Sequence, residues 1–353
     1  MHLVRREWPR LRPLVWAALE RGRLAPEPVL RAIQRAWPGG EALLPFTDHP
    51  LAAVRSRAVG PVVASGHPRA LGQLRDMARE ADPAVAAAAR AALESVRRAP
   101  PPLIFRLLGG FEARRGAWRI DAAAWGRPLT ARLVRFLLVN RGTVVPEDVL
   151  FEHFWPGKPA ASARRNLQVA VSMARGVLDT GLGGESIIEA VEHGYRLRLA
   201  DHDLVDSEEF EVAAGTALSE RDLAARRTLL ERAAALWGGE PLPEDRYADW
   251  SRDWRRGLVD RYTGVLEALV DACRDEGDAR ATIQFATRLL ELDPLNETVH
   301  RALMIAYARC GRIADALRQY LACRRLLVDE LGVEPSAATS LMQGRILAGD
   351  FGY

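Results

Sequence analysis

Arg164, Arg165, Gln168, Ser172 and Arg175 recur within one short stretch, interleaved with Leu167, Ala170, Val171, Ala174, Val177 and Leu178. At about 100° per residue around a helix axis, the apolar set, spaced three and four apart, gathers into one stripe. The polar set falls largely on the opposite face. The chemistry available to that face is recognition. Guanidinium forks pair bidentately with guanine edges or phosphates, and a glutamine amide does the same for adenine. Ser172 is small enough to let such a helix seat deeply, and the free N–H groups at its N-terminus favour phosphate. Taken alone, the pattern also fits a surface helix with solvated arginines.

The flanking elements decide how such a helix would be held. Behind it, Ile187, Ile188 and Val191 alternate toward a core, Glu192-His193-Gly194 supplies a turn, and Tyr195, Leu197 and Leu199 return. This predicts a β-hairpin with His193 and Arg196 at its tip, where a wing reaches the DNA backbone or minor groove. Tyr195 reads equally well as a contact or a core residue. Ahead of it, residues 103–108, 111–115 and 118–120 read as a short antiparallel meander turned by Gly109-Gly110 and Arg115-Gly116. Pro128-Leu129-Thr130 then opens a helix with Leu133, Phe136 and Leu137 on one face, ended by Arg141-Gly142. Pro146-Glu147-Asp148 opens a second, burying Val149, Leu150 and Phe154 and stopping at Trp155-Pro156-Gly157. The third runs from about 160 to 178. The order of elements predicts a winged helix-turn-helix with small β-sheets over 103–200, hence a gene regulator and not an enzyme.

Residues 1–100 read as helical, with breaks at Pro9, Pro26, Pro38-Gly39-Gly40, Pro61 and Pro68. Asp48-His49-Pro50 and Asp82-Pro83 each resemble a capping carboxylate followed by an early proline. The paired helices look like HEAT-type repeats. Ala99-Pro100-Pro101-Pro102 predicts an extended spacer and a domain boundary. Over 201–348 the chain is almost wholly helical. Cys273/Tyr307, Gly277/Gly311, Thr282/Ala316 and Ala286/Tyr320 repeat at an offset of 34 residues (273 to 307, 277 to 311). That period is tetratricopeptide-like, with Pro294 placed where one repeat gives way to the next. The expected fold is therefore mainly α.

Charge divides along the same lines. Residues 1–102 carry sixteen Lys/Arg against nine Asp/Glu, 103–200 fourteen against nine, and 201–353 nineteen against twenty-eight. A basic front and an acidic back suggest different partners. No apolar run is long enough to span a membrane. The opening Met1-His2-Leu3-Val4-Arg5-Arg6-Glu7 lacks an apolar core before a small-residue cleavage site, which argues against secretion. Cys273, Cys310 and Cys323 have no metal-ligand spacing and read as reduced thiols of a cytosolic protein. No Gly-x-x-x-x-Gly-Lys loop, catalytic constellation, metal site or cofactor motif stands out. Glu189, Glu192 and His193 lie close in sequence, but a hairpin turn is a poor place for buried acid–base work.

Residues 103–200 resemble the OmpR-type winged helix, and 103–348 resemble the Streptomyces antibiotic regulatory protein family. The residues that carry the likeness are Leu107-Leu108-Gly109-Gly110-Phe111-Glu112, Val144-Val145-Pro146-Glu147-Asp148-Val149-Leu150, Phe154-Trp155, the run 160–169 and Gly194-Tyr195-Arg196-Leu197. Further on come Asp206 to Phe210, Leu236-Trp237-Gly238-Gly239-Glu240-Pro241-Leu242 and the run 327–335, similar to the family's bacterial transcriptional activation domain. The resemblance implies a cytoplasmic activator on promoter direct repeats that contacts RNA polymerase; because a single winged helix reads only a few bases, two copies are expected side by side on the DNA. It implies groove-facing roles for Arg165, Gln168, Ser172 and Arg175, wing roles for His193 and Arg196, and phosphate contact at Thr130. Trp155, Pro156, Gly157 and Lys158 match a loop that such proteins present to polymerase. Ala170 and Met173 replace an aromatic residue and an arginine. That substitution keeps a rival in view, a helical-repeat adaptor with vestigial DNA contact. Residues 1–102 lie outside the usual family layout, as the remnant of a sensor-bearing regulator or as a partner-binding addition. Neither a receiver domain nor the ATPase module of larger relatives is visible.

Overall fold

Proline sets where most of the N-terminal helices begin. The computed structural model describes residues 2–179 and 186–350, with backbone alone for 2–6. Met1 and residues 180–185, included in the expected 1–100 and 103–200 regions, lie outside the described residues. The first helices are α1 (His2–Glu20), α2 (Pro26–Ala36), α3 (Ala52–Ser65), α4 (Pro68–Met77) and α5 (Pro83–Arg98), with a short 3-10 turn at Leu44–Asp48. Pro26, Pro68 and Pro83 occupy first helical positions, where no N–H is needed. Asp82 caps α5 by accepting from Ala84 N at 2.9 Å and Val85 N at 3.1 Å. Asp48 makes no such cap. It ends the 3-10 turn, and His49 Nδ1 accepts from Leu51 N instead.

Pro9 and Pro61, expected as breaks, lie inside α1 and α3. A mid-helix proline forfeits one backbone hydrogen bond. In α3 the flanking Val59 and Val62 are buried, so packing holds the helix through the defect. Leu19, Leu30, Leu43, Phe46, Val54 and Val62 form one apolar cluster, and Val59, Leu74, Met77, Val85 and Leu93 a second.

Among the described residues, 103–205 add two small sheets and three helices: β1 (Leu103–Arg106), β2 (Glu112–Arg115), β3 (Trp118–Ile120), α6 (Pro128–Val139), β4 (Val145–Pro146), α7 (Glu147–Phe154), α8 (Ala160–Leu178), β5 (Ile188–Val191), β6 (Gly194–Leu197) and β7 (Leu204–Val205). The first sheet has the order β3-β2-β1-β7, its last pair parallel, so the expected meander gains a strand from beyond the hairpin. Asp203 Oδ1 secures that return by accepting from Leu103 N at 2.7 Å. The second sheet is antiparallel, in the order β4-β6-β5. Leu103, Phe105, Leu133, Leu137, Leu150 and Leu167 are among the fully enclosed side chains of this region.

The two parts flanking the proline-rich spacer belong to one compact unit. Gly66 adopts φ +73, and a methyl group there would stand 2.1 Å from the carbonyl oxygen of Arg115. Gly116 N donates to Pro102 O at 2.8 Å, and the His67 ring sits 5.5 Å from that of Trp118. The spacer is thus held by the sheet edge rather than left as a tether.

Among the described residues a second unit comprises Leu108–Gly110, Asp206–Tyr247 and 252–350, while Ala248–Ser251 belongs to the first. From residue 206 onward the helices are α9 (Asp206–Ser219), α10 (Leu223–Leu236), α11 (Asp249–Asp275), α12 (Ala279–Leu292), α13 (Glu297–Arg309), α14 (Ile313–Leu331) and α15 (Ala337–Leu347). The repeat offset is visible in the backbone: Gly277 and Gly311 both turn with φ +74. Thr282 and Ala316 are both fully buried at the matching position of the following helix. Leu230, Leu266, Leu269, Phe285, Leu289 and Leu303 fill the core between successive pairs, as stacked repeats require.

Candidate nucleic-acid interface

Helix α8 contains no Asp or Glu. Ala163, Leu167, Ala170, Val171, Ala174 and Leu178 are buried, and Arg164, Arg165, Gln168, Val169, Ser172 and Gly176 are exposed. The apolar stripe is therefore spent on α6 and α7, both of which α8 packs against. A cationic face with no carboxylate of its own remains open to solvent.

The arginines of that face are not equivalent. Arg164 Nε donates to Glu147 Oε2 at 2.7 Å, pinning the start of α8 to the start of α7. Arg175 donates from Nε and Nη2 to the carbonyl oxygen of Ile188, at 2.9 and 2.6 Å. It was expected to face a groove, but its guanidinium fastens the end of α8 to strand β5. Asp179 reinforces the same joint, accepting from Ile187 N at 3.0 Å and Ser186 Oγ at 2.7 Å. Among the described residues Arg165 is engaged in no ion pair and stands exposed beside Gln168 and Ser172.

The hairpin turns through His193, which holds φ +60, and the His193 and Glu192 side chains are 91% and 88% exposed. Gly194 is required where it stands: a methyl group there would lie 2.4 Å from the carbonyl oxygen of Val145, on the crossing strand β4. Arg196 is not at the tip. It lies along β6 opposite Glu189 and donates to Glu189 Oε2 from Nη2 at 2.6 Å and Nε at 3.0 Å. The hydrogen bonds from Arg196 and Arg198 hold the Glu189 carboxyl below the usual carboxylate range. Tyr195 is buried, and burial pushes its phenol above the ordinary value, which resolves its two readings toward the core.

Two further expectations change in the structure. Thr130 is buried on α6, its Oγ1 lying 3.9 Å from Met173 Sδ, so its side chain does not present itself to a phosphate. Its place in α6 puts it on the face that receives α8. Trp155 is likewise buried, its ring centroid 5.8 Å from that of Phe154 and tilted by 47°, while Pro156, Gly157 and Lys158 are exposed. The loop thus has an aromatic anchor and an exposed outer edge that continues through Pro159 to the start of α8. Glu147 and Glu189, to which the sequence alone assigns no pairing role, set the side chains of Arg164 and Arg196. Their partners lie 17 and 7 residues away, beyond helical spacing.

These elements define a winged helix followed by tetratricopeptide-like helical repeats. Residues 203–347 match the bacterial transcriptional activator domain. The regulatory protein DnrI of Streptomyces peucetius is 32% identical over 232 residues, covering 61% of this chain and 82% of DnrI. The regulatory protein AfsR of Streptomyces coelicolor is 34% identical over 244 residues, 66% of this chain. That alignment takes in 23% of AfsR, so the chain spans about a quarter of that longer relative. The solved structure of Mycobacterium tuberculosis EmbR, in complex with a low-affinity phosphopeptide, superposes with a TM-score of 0.55 at 25% identity, covering 70% of this chain and 65% of EmbR. The chain belongs to the Streptomyces antibiotic regulatory protein family, whose members are transcriptional regulators and not enzymes. No helix among the described residues is long and apolar enough to cross a membrane.

Proposed function

We propose that this protein is a cytoplasmic, sequence-specific DNA-binding transcriptional activator. The DNA-binding domain is residues 103–200, with α8 lying in the major groove and the His193 turn reaching the adjacent backbone. Residues 201–348 form the activation domain. The observation that carries this reading is the acid-free outer face of α8, with Arg165, Gln168 and Ser172 exposed on it. Arg165 is its main phosphate or guanine contact and Gln168 its adenine contact. Arg164, Arg175 and Arg196 act chiefly as fasteners that fix the angle of α8 and the wing. One winged helix reads few base pairs, so two copies sit side by side on promoter direct repeats. The exposed edge Pro156, Gly157 and Lys158 is the surface offered to RNA polymerase.

Titration of the full chain on a promoter fragment at several salt concentrations tests the reading. Arg165→Ala should weaken binding by ~1–3 kcal/mol and lower the salt slope by about 0.9 if a phosphate contact is lost. Parental affinity in both Arg165→Ala and Gln168→Ala would show that α8 does not face the DNA. Lys158→Ala should leave DNA affinity intact while reducing transcription in a purified system.

A further inference from the structure

We propose that Val169 is a base-reading residue, its two methyl groups seated against the C5-methyl of thymine. Arg165 and Ser172 are each three or four residues from both Gln168 and Val169, Gly176 follows Ser172 by four, and all five are exposed, so they form one continuous strip along α8. Within that strip Val169 is 48% exposed and is the sole large hydrophobic side chain so placed on α8. It is not required by the interior, because Leu167, Ala170, Val171, Ala174 and Leu178 already supply the packed stripe. Its place in the strip gives the outer face two chemically different flanks. About 100° separates adjacent residues around the axis, so Gln168 borders one side of the Arg165–Ser172 line and Val169 the other.

Every base edge in the major groove offers nitrogen or oxygen atoms, and thymine alone among the four ordinary bases adds an apolar group. Arg165 and Gln168 match the polar edges; Val169 matches the methyl. A β-branched side chain in a helix has one strongly preferred rotamer, so its methyl groups are pre-placed. The small residues Ser172 and Gly176 leave room for approach, since a methyl group on Gly176 would meet nothing within 4 Å. The recognised half-site therefore contains at least one thymine beside the base pair read by Arg165 or Gln168.

This inference rests on the proposed docking of α8 in the major groove, and one experiment separates the two. Double-stranded DNA selected by the full-length protein from a random-sequence pool is amplified once with dTTP and once with dUTP. Replacing thymine by uracil deletes the methyl and leaves every hydrogen-bonding edge intact. The parent protein should bind the uracil form about fourfold more weakly for each methyl contacted. Val169→Ala, a change on an exposed helical surface, should bind the two forms alike. Equal loss in parent and variant, or no loss in either, overturns the role of Val169 while leaving DNA binding established. If the parent enriches no DNA from the pool, the docking itself fails, and this role with it.

Discussion

Arg175 and the carbonyl oxygen of Ile188 form a two-pronged joint, with Nε at 2.9 Å and Nη2 at 2.6 Å from the same acceptor. It ties the last turns of the candidate recognition helix to the first residue of strand β5. A cation that the helical pattern places on a groove-facing surface thereby becomes a structural fastener. Arg175→Ala should cost about 1.5–3 kcal/mol, the range for hydrogen bonds to charged groups. Chemical denaturation of the full chain would measure it. Arg175→Ala should also leave the salt slope of DNA binding unchanged, whereas Arg165→Ala should reduce it.

Gly194 allows β4 and β6 to pair. With 2.4 Å between an added methyl and Val145 O, Gly194→Ala should separate the strands and destabilise the fold by about 1–3 kcal/mol, the usual range for overpacking. Urea denaturation followed by tryptophan fluorescence would detect this. A parental midpoint would show that β4 and β6 do not cross so closely in solution.

At the junction of the N-terminal helices with the first sheet, Gly66 combines φ +73 with a clash of 2.1 Å against Arg115 O. Gly66→Ala should expose the proline-rich spacer at residues 99–102 to limited proteolysis, yielding fragments cut there. Gly72→Ala, at a helical site where an added methyl meets nothing within 4 Å, should be cleaved no faster than the parent.

His300 carries a pH prediction. It is buried on α13, with Nε2 2.9 Å from Pro294 O and Nδ1 2.6 Å from Gln319 Nε2. This arrangement suits a neutral ring that donates to Pro294 and accepts from Gln319. Burial, opposed by Pro294 O, Glu297 and Asp293, lowers its pKa below 6.5. The unfolded chain then binds more protons than the folded one once pH falls below about 6.5, so this contribution to stability is complete above that value and declines below it. Unfolding free energy measured from pH 7.5 to 5.5 should fall more steeply for the parent than for His300→Gln. Parallel curves would show that His300 titrates alike in both states.

Much of the candidate interface was legible because its signals are local. The apolar residues of α8 repeat at helical spacing, and the structure encloses that stripe with Val177 half-buried at its margin. The ends of α8 also fall where the pattern predicts them. The glycines at 277 and 311 mark their turns because a left-handed backbone needs a residue without Cβ. Less legible were the side chains whose roles depend on distant partners. Thr130, Trp155 and Tyr195 look like surface candidates by type and position, but α8, Phe154 and β4 cover them or pack against them.

By itself the sequence determined the order of elements, the amphipathic face of α8, the turn residues and the division of charge between the two ends of the chain. These depend on the period of a helix or strand and on the conformational freedom of single residues, both properties of a short segment. Only the tertiary structure decided which arginines remain open, that β7 returns to pair parallel with β1, and that Pro9 and Pro61 lie within helices. The physical reason is common to all three. A guanidinium, a strand edge or a proline takes its state from whichever group packing brings to it, and chain separation does not encode that group.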